Sequence, residues 1–297
     1  YSLIEEIILP KSLKSIGPAA FDYCRKLKKI EFENNSELYQ IDKEAFASVA
    51  IENISIPSHV KFMNEGIFRF CKNLKSVTFA DDCELCVFPA YFFTQSSIEK
   101  LFIPRNIKQL TAGWCETTKN LAKITVSENN ELFKSINDEI VVSKNKPEDS
   151  NYSNIEIVSR NIPKLEISST IRRLCPYSFS YCNQLKTVHF SEESELETID
   201  HKSFTYSSIE YMIFPRKANN ICCEAFSESS KLLNVEFLGD NLVIDDRCFV
   251  GCKNLSFLAF PNAGKIKLGK GSLIRISKNC SIFTYPGSDI SLEPSNY

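Results

Sequence analysis

The sequence predicts an α/β repeat solenoid, a curved array with a long parallel sheet on its concave face. Short helical turns or irregular segments are predicted on its convex side. Three observations predict this fold: a short apolar phrase returns twelve times, a second apolar anchor follows most phrases, and two kinds of linker alternate along most of the chain. A fixed period of this length indicates stacked supersecondary units that share one core.

The phrase consists of an apolar residue, two variable residues, a second apolar residue, one variable residue and a large apolar residue. Its starts are 23 or 24 residues apart, except for one interval of 41 and a final interval of 25. Because side chains alternate between the faces of a strand, the third and fifth residues after each start are predicted to point inward. The starts are Ile4, Leu27, Ile51, Leu74, Ile98, Leu121, Ile162, Leu185, Ile209, Leu232, Leu255 and Cys280.

A second anchor, usually phenylalanine, follows most of the strands. Phe21 lies within Pro18–Cys24, where the proline suits the first turn of a helix, so we expect a helical turn there. An aliphatic residue often stands five positions before the anchor, as Ile16 and Ile221 do. Crossovers of this kind make successive strands parallel. The other anchors are Phe46, Phe68, Phe93, Phe179, Phe204, Phe226 and Phe249.

The linkers and charges support the same register. One linker class has a proline directly after the strand, which ends ladder hydrogen bonding, and the other contains a Glu-Leu pair. The first variable strand position alternates in charge through Glu5, Lys28, Glu52, Lys75 and Glu99. Neighbouring strands are therefore predicted to place opposite charges side by side.

We predict one solenoid domain of about twelve repeats over residues 1–297, because a repeat array grows in one dimension and escapes the size limit of a globular core. The long interval contains a departure from the repeat at residues 139–158. Two short apolar runs there flank a polar, turn-rich stretch, which predicts a projecting hairpin; a floppy loop is the alternative.

The repeats resemble the BspA-like, or Treponema-type, leucine-rich repeats. The likeness is carried by units such as Ile54–Pro57, by Ala45–Phe46 and above all by Ala20–Leu27, which is close to the family phrase Ala-Phe-x-x-Cys-x-x-Leu. It covers residues 3–286, although Trp114–Cys115 replaces the expected Ala-Phe. The resemblance implies a surface or secreted protein of mucosal bacteria or parasitic protists that adheres to host matrix proteins and cells.

Composition and motifs argue against several other classes. The net charge of −2 gives no reason to expect nucleic acid, and nine glycines make a glycine-rich phosphate loop improbable. No apolar run is long enough to span a membrane. His59, His189 and His201 stand outside any catalytic motif. We therefore predict a protein partner, no enzyme activity, no catalytic residues and no cofactor.

Twelve cysteines raise the question of disulfides or zinc. Cys24, Cys71, Cys182 and Cys252 each follow an anchor phenylalanine by three residues. Cys24 and Cys71 are two repeats apart, or about 10 Å, which is too far for a disulfide. We interpret the four as small buried hydrophobic residues. The lone C-x-x-C pair and the vicinal pair lack further ligands, so no metal site is predicted.

Two features of the sequence give conflicting indications of the cellular compartment. N-x-S/T sequons make possible glycosylation sites, although chance alone accounts for most of such a number. Many free cysteines favour a reducing compartment instead. The family resemblance favours the cell surface or secretion, and a cytoplasmic location stays open. The sequons begin at Asn34, Asn53, Asn151, Asn254 and Asn279.

The positions two and four residues after each start are predicted to line the concave face. Most of them are polar, so the apolar exceptions are candidates for a protein-binding site. The alternative is that these side chains pack against each other or against the insert. The candidates are Ile8, Phe102, Tyr211, Ile213 and Phe257, together with the outward-facing His189.

Three functions remain open on the sequence alone. The first is an adhesin that binds an extracellular matrix or host-cell surface protein through this face. The second is a self-assembling structural surface protein, because the first strand lacks a polar cap and would leave an open edge through which the solenoid ends could pair. The third is an intracellular leucine-rich-repeat scaffold.

Overall fold

The computed structural model describes residues 2–292, which form strands and turns. The chain divides into two compact units, Tyr1–Val141 and Val142–Tyr297. Each unit contains six repeat-start strands, one for each apolar phrase, and a second series of strands that alternates with them in sequence. The prediction of one uninterrupted domain over residues 1–297 stays a prediction.

The first unit is built on parallel pairs. Its repeat-start strands are β1 (Glu6–Leu9), β3 (Lys29–Phe32), β5 (Asn53–Ser55), β7 (Ser76–Thr78), β9 (Lys100–Ile103) and β11 (Lys123–Val126). Its second-series strands are β2 (Ser15–Ile16), β4 (Gln40–Ile41), β6 (Phe62–Met63), β8 (Val87–Phe88), β10 (Gln109–Leu110) and β12 (Phe133–Ile136). β1 pairs with β3, β5–β7–β9–β11 form one sheet, and β2–β4–β6 and β8–β10 form others.

The second unit repeats this plan. Its repeat-start strands are β15 (Lys164–Ile167), β17 (Thr187–Phe190), β19 (Tyr211–Phe214), β21 (Asn234–Phe237), β23 (Phe257–Phe260) and β25 (Ser281–Thr284), all in one sheet. Its second-series strands are β14 (Asn154–Val158), β16 (Arg173–Leu174), β18 (Thr198–Ile199), β20 (Asn220–Ile221), β22 (Asn241–Ile244), β24 (Lys265–Leu268) and β26 (Asp289–Leu292). The remaining strand, β13 (Ile140–Ser143), contains the boundary between the units.

The parallel solenoid and its inward ladders are confirmed. Ile7 lies beside Ile30 and Leu165 beside Val188, so equivalent positions of successive repeats meet across the sheet. The apolar residue five positions before each anchor phenylalanine, such as Ile16, lies in a second-series strand and is buried. The sequence indicated those residues as buried but did not predict that they would form a second sheet.

The prediction of helical turns is wrong: residues 2–292 contain no helix. At the Phe21 turn every second N–H group points to the following repeat. Ala19, Phe21 and Tyr23 donate to the carbonyls of Lys43, Ala45 and Ala47 at 2.9, 2.9 and 3.1 Å. A helix would use those donors internally, four residues back. Bonds between repeats therefore replace bonds within a helix.

Left-handed backbone makes this turn possible. Ala19 and Tyr23, four residues apart around Phe21, have φ values of 53° and 57°. The same spacing recurs around later anchors, as at Lys202 and Tyr206 with φ values of 53° and 56°. Non-glycine residues adopt this conformation at a cost, which the hydrogen bonds to the next repeat offset.

The anchors form buried aromatic stacks inside each unit. In the second unit, Phe204 lies 4.7 Å from Phe179 and 5.1 Å from Phe226 between ring centroids. A second stack runs beside it, where Phe214 lies 4.9 Å from Phe237. These centroid distances are close to the spacing of neighbouring strands, so the backbone ladder places each ring on the next.

The alternating charges on the strands are confirmed. Lys28 contacts Glu5 at 3.1 Å, Lys75 contacts Glu52 at 3.0 Å and Lys186 contacts Glu210 at 3.1 Å. Because most of these side chains are exposed to solvent, the pairs favour the register more than they add stability.

The predicted register of the last repeat is wrong by one residue. Leu258 lies beside Ile282 and Ala259 beside Phe283, so the phrase starts at Asn279 rather than Cys280. A shift of one residue moves every side chain to the opposite face, which places Phe283 outward instead of inward. The corrected interval is 24 residues, like those of other repeats.

Strands β13 and β14 account for the two apolar runs at residues 139–158. The N–H of Ser153 donates to the carbonyl of Ser143 at 3.0 Å, and the polar stretch lies between the two strands. Ile155 and Ile157 are buried, and β14 pairs with β16. Thus β14 belongs to the second-series sheet, and the projecting hairpin at residues 139–158 stays a prediction.

Arg160 completes the turn that follows β14. This repeat has no anchor phenylalanine, and Arg160 is only 2% exposed. Its Nη1 donates to the carbonyls of Val158 and Ser178 at 3.1 and 3.0 Å. A side chain thus satisfies buried carbonyl groups in a repeat that lacks the regular turn.

Replacement of Phe204 by alanine is expected to lower the free energy of unfolding by about 3–5 kcal/mol, because it leaves a cavity between two stacked rings. Denaturation in guanidinium chloride measures the change. Phe62→Ala is the control, because Phe62 is 45% exposed, and we expect about 1 kcal/mol or less. Equal effects of the two substitutions would contradict the stacked core.

Glu156→Gln is expected to reduce the loss of stability as the pH rises. Partial burial raises the pKa of the Glu156 carboxyl above its ordinary 4.5, and Arg173 opposes this shift. Since the folded chain holds this proton more tightly, its stability falls as the pH rises from the unfolded pKa through the folded one. Denaturation between pH 4 and 8 measures this pH dependence of stability, and Glu166→Gln at an exposed position is the control. Identical stability profiles of Glu156→Gln and wild type over this pH range would contradict the prediction.

Candidate protein-binding surface

Two rows of side chains cover the solvent-facing side of the repeat-start sheet in the second unit. The rows follow from the strand register: Tyr211 lies beside Asn234 and Asn234 beside Phe257, while Ile213 lies beside Glu236. Neighbouring positions in a row are about 4.8 Å apart. The first row is Lys164, Thr187, Tyr211, Asn234, Phe257 and Ser281, and the second is Glu166, His189, Ile213, Glu236, Ala259 and Phe283.

The structure places three of the sequence-predicted residues close together on this side. Tyr211, Ile213 and Phe257 are 49%, 56% and 37% exposed. Asn234 and Glu236 separate Phe257 from the other two, so the apolar side chains lie about 10 Å apart across one intervening strand. They face solvent between polar neighbours.

Phe283 is a further exposed aromatic residue that the sequence reasoning missed. It is 52% exposed and lies beside Ala259 in the second row. Its strand, β25, is the neighbour of β23, the strand of Phe257. The polar Asn279 at the start of its repeat does not fit the apolar phrase, which concealed the register. The interval of 25 residues to Cys280, longer than other regular intervals, was the signal that could have found it.

A cleft of about 690 Å³ extends this surface towards the carboxyl ends of β17 and β19. Tyr211, Ile213 and His189 line it, so His189 joins two of the apolar candidates. Glu192 and Arg216, which follow the two strands, also line the cleft and supply one charge of each sign. The arrangement combines apolar contact area with polar groups that can orient a ligand.

Ile8 and Phe102 are not brought together. Ile8 lies on β1 and is 63% exposed, whereas Phe102 lies on β9 and is half-buried. Three repeat-start strands separate β1 from β9 in sequence. The cleft of about 850 Å³ beside Ile8 is lined largely by polar residues such as Lys29 and Glu31. Ile8 and Phe102 therefore do not form an apolar cluster like that around Tyr211.

The other two histidines make local contacts. Nδ1 of His59 lies 3.2 Å from a carboxylate oxygen of Glu84, and both side chains are exposed. Nδ1 of His201 lies 3.0 Å from the carbonyl oxygen of Cys223, and the ring packs edge-on against Tyr177 at 5.7 Å. No nucleophile stands among these contacts of His59 and His201.

The cysteine series is buried, as predicted. Cys24, Cys71, Cys182 and Cys252 are inaccessible to solvent or nearly so. The thiols of Cys71 and Cys252 donate to the carbonyls of Phe46 and Phe226 in the preceding repeat, each at 3.1 Å. In the described part of the chain, no three His, Cys, Asp or Glu side chains converge where they could hold a metal ion.

The five sequons are accessible. Their asparagines are all exposed at positions 34, 53, 151, 254 and 279. Asn53 lies on β5, where its side-chain carbonyl accepts a hydrogen bond from Ser76 at 2.6 Å. Over residues 2–292 the structure has no helix with the length and hydrophobicity needed to cross a membrane.

The repeat phrase, the stacked anchors and the parallel strands agree with one family. The sequence model of the BspA type leucine rich repeat region matches in six copies over residues 1–122, 81–141 and 154–272. The chain belongs to this family. The resemblance seen in Ala20–Leu27 is thereby confirmed. No curated protein matches the chain in sequence.

Solved structures of bacterial leucine-rich repeat proteins are similar in fold. A leucine-rich repeat protein from Eubacterium ventriosum has 20% identity and a TM-score of 0.78 over 95% of this chain and 72% of its own. The pneumococcal vaccine antigen PcpA has 20% identity and a TM-score of 0.71, over 94% and 79%. A leucine rich cell surface protein from Faecalibacterium prausnitzii has 18% identity and a TM-score of 0.67, over 96% and 80%.

The buried thiols are expected to resist alkylation in the folded protein. Burial raises the pKa of Cys71 to about 12 and that of Cys222, which is partly exposed, to about 11. The thiolate is the reactive form, so little of it exists at neutral pH. A short iodoacetamide pulse at pH 8, read by mass spectrometry, should leave Cys71 and Cys222 unmodified, whereas the guanidinium-unfolded chain reacts throughout. Full modification of Cys71 in the folded chain would reject its burial.

Proposed function

We propose that this chain is a non-enzymatic protein-binding module of a cell-surface or secreted adhesion protein. It contacts a host or extracellular matrix protein through the solvent-facing side of its repeat-start sheet, the side predicted to be concave. The observation that carries the proposal is the exposure of Tyr211, Ile213 and Phe257 on a sheet side that is otherwise largely polar. Exposed aromatic residues surrounded by polar ones are typical of interaction hot spots.

The strands offer a rigid platform for such contacts. β19, β21 and β23 have sheet neighbours on both sides, so their backbone groups are used within the sheet and recognition falls to the side chains. Asn234 and Glu236, between the apolar residues, can form the polar part of an interface. A partner would bury the apolar side chains while these groups keep or exchange their hydrogen bonds.

Charged residues in the cleft beside Tyr211 can orient the bound partner. Glu192 and Arg216 give it charges of both signs at the carboxyl ends of β17 and β19. A partner with apolar residues flanked by one acidic and one basic group would complement this arrangement. Charges at the edge of an interface determine orientation and association rate more than affinity.

Relatives support a binding role at the cell surface. The chain belongs to a leucine-rich repeat family, and stacked repeats typically provide extended binding surfaces. One neighbour is named a vaccine antigen and another a cell surface protein, and the five exposed sequons are compatible with secretion. The self-assembling surface protein and the intracellular scaffold remain alternatives. Glycans detected by mass spectrometry on the native protein would exclude the intracellular scaffold.

Tyr211→Ala and Phe257→Ala are expected to weaken binding by about tenfold or more each, because truncation of a hot-spot aromatic removes desolvated contact area. The experiment immobilises the chain and measures binding of purified extracellular matrix proteins such as fibronectin, laminin and collagen, and of a host-cell surface extract. Surface plasmon resonance gives the affinity of each protein that binds.

Phe62→Ala is the matched control, because it removes an exposed aromatic ring from a second-series strand. Binding should be unchanged in this variant. If Tyr211→Ala and Phe257→Ala both bind as tightly as wild type, the proposed surface is wrong. If no matrix or cell-surface protein binds at all, the adhesion function is wrong as well.

A further inference from the structure

One position in each turn forms a column of side chains along the repeats. It is the second left-handed residue of the turn, two residues after the anchor, and its N–H donates to the following repeat. Tyr23, Ser48 and Phe70 donate to the carbonyls of Ala47, Arg69 and Thr94 at 3.1, 2.9 and 2.9 Å. Successive members are therefore one strand spacing apart, about 4.8 Å. The first unit has Tyr23, Ser48, Phe70, Gln95 and Thr117; the second has Tyr181, Tyr206, Glu228, Gly251 and Arg275.

The second unit shows what two consecutive aromatic residues do in this column. The rings of Tyr181 and Tyr206 stack with their centroids 4.9 Å apart and their planes 16° apart. Both residues have φ values of 56–57° and make the same backbone bonds to the next repeat. The distance between successive repeats in this column therefore equals the distance between two stacked rings.

In the first unit this stack is interrupted. Tyr23 and Phe70 are two steps apart, about 10 Å, and Ser48 stands between them without a ring. A gap of this width accepts one planar ring with normal stacking distance on both sides. The turn at Ser48 is also one residue shorter, between its anchor and the next phrase, than the turns on either side.

The gap is a real hollow in the surface. Its volume is about 340 Å³. Tyr23 and Phe70 flank it, and Ser48, Val49 and Ala50 come from the short turn between them. Arg25, Lys72 and Asn73, from the longer neighbouring turns, complete the lining. We name this hollow the Ser48 slot.

The charges of the Ser48 slot select its ligand. Arg25 and Lys72 are the ionisable groups with positive charge that line it, and no carboxylate lies among the lining residues. The guanidinium of Arg25 lies 5.2 Å from the centroid of the Tyr23 ring. The positive charges therefore favour an acidic ligand, and the Asn73 amide already donates one hydrogen bond, to the Ala50 carbonyl at 3.4 Å.

We propose that the Ser48 slot binds an aromatic side chain of a partner polypeptide in which acidic residues flank that side chain. The ring inserts between Tyr23 and Phe70 and reproduces there the ring stacking that Tyr181 and Tyr206 show in the second unit. The acidic neighbours pair with Arg25 and Lys72. This second site lies on the turns of the first unit and does not depend on the Tyr211 surface.

The test measures binding of a pentapeptide with a central tryptophan between pairs of glutamates to the full chain by isothermal titration calorimetry. We expect affinity that falls as salt is raised, since both partners are charged. A peptide with central leucine, and one with lysines in place of the glutamates, should each bind about tenfold more weakly. Phe70→Ala should show a similar loss.

Ser48→Tyr is the decisive variant, because it should fill the slot as Tyr206 does and abolish binding. Gln95→Tyr places the same ring in the same column outside the slot and should bind like wild type. Unfolding temperatures of both variants at or above that of wild type show that the fold is kept. Unchanged binding by Ser48→Tyr, no preference for the aromatic peptide, or binding of glucuronate instead of the peptide would each overturn the proposal.

Discussion

The hydrogen bonds between successive repeats are the constraint on which the rest of the structure depends. They run through the repeat-start strands, through the second-series strands and around the turns, where Phe204 donates to Ala225 at 2.8 Å. Since each bond fixes one repeat about 4.8 Å from the next, equivalent residues form columns. The anchor stacks, the charge pairs and both proposed binding sites are such columns.

The column principle explains how a regular core can carry specific sites. A stack of phenylalanines such as Phe179, Phe204 and Phe226 tolerates little change, because Phe204 packs against both of the other rings. The outward columns are free to vary. Tyr211 in a polar row presents an exposed aromatic ring, whereas Ser48 between Tyr23 and Phe70 leaves a slot. In both cases one departure from the pattern of the column produces the site.

The sequence predicted the parts of the fold that periodicity encodes. The inward ladders, with Ile30 in the first unit and Val188 in the second, follow from counting residues. So do the buried anchors and the charge pair of Lys28 with Glu5. The turns could not be predicted in this way. The segment Pro18–Cys24 suits one turn of helix locally, and only the next repeat, which accepts the N–H groups of Phe21 and Tyr23, favours the left-handed alternative.

The candidate site was predicted in part for the same reason. Tyr211, Ile213 and Phe257 follow from the strand alternation, but Phe283 was hidden by a repeat that begins with polar Asn279. The Ser48 slot needs knowledge of neighbouring turns, because a serine indicates a gap only when aromatic residues stand one step away on both sides. A local sequence pattern does not contain the register between repeats. The residues whose position depends on that register were therefore missed, and those that follow from the local pattern were found.

Scalar coupling across hydrogen bonds tests the central claim most directly. In a labelled sample, the amide nitrogen of Phe204 should couple to the carbonyl carbon of Ala225 in the next repeat, and that of Phe226 to Cys248. Coupling of Phe204 to the carbonyl of Asp200, four residues back as in a helix, would contradict the account.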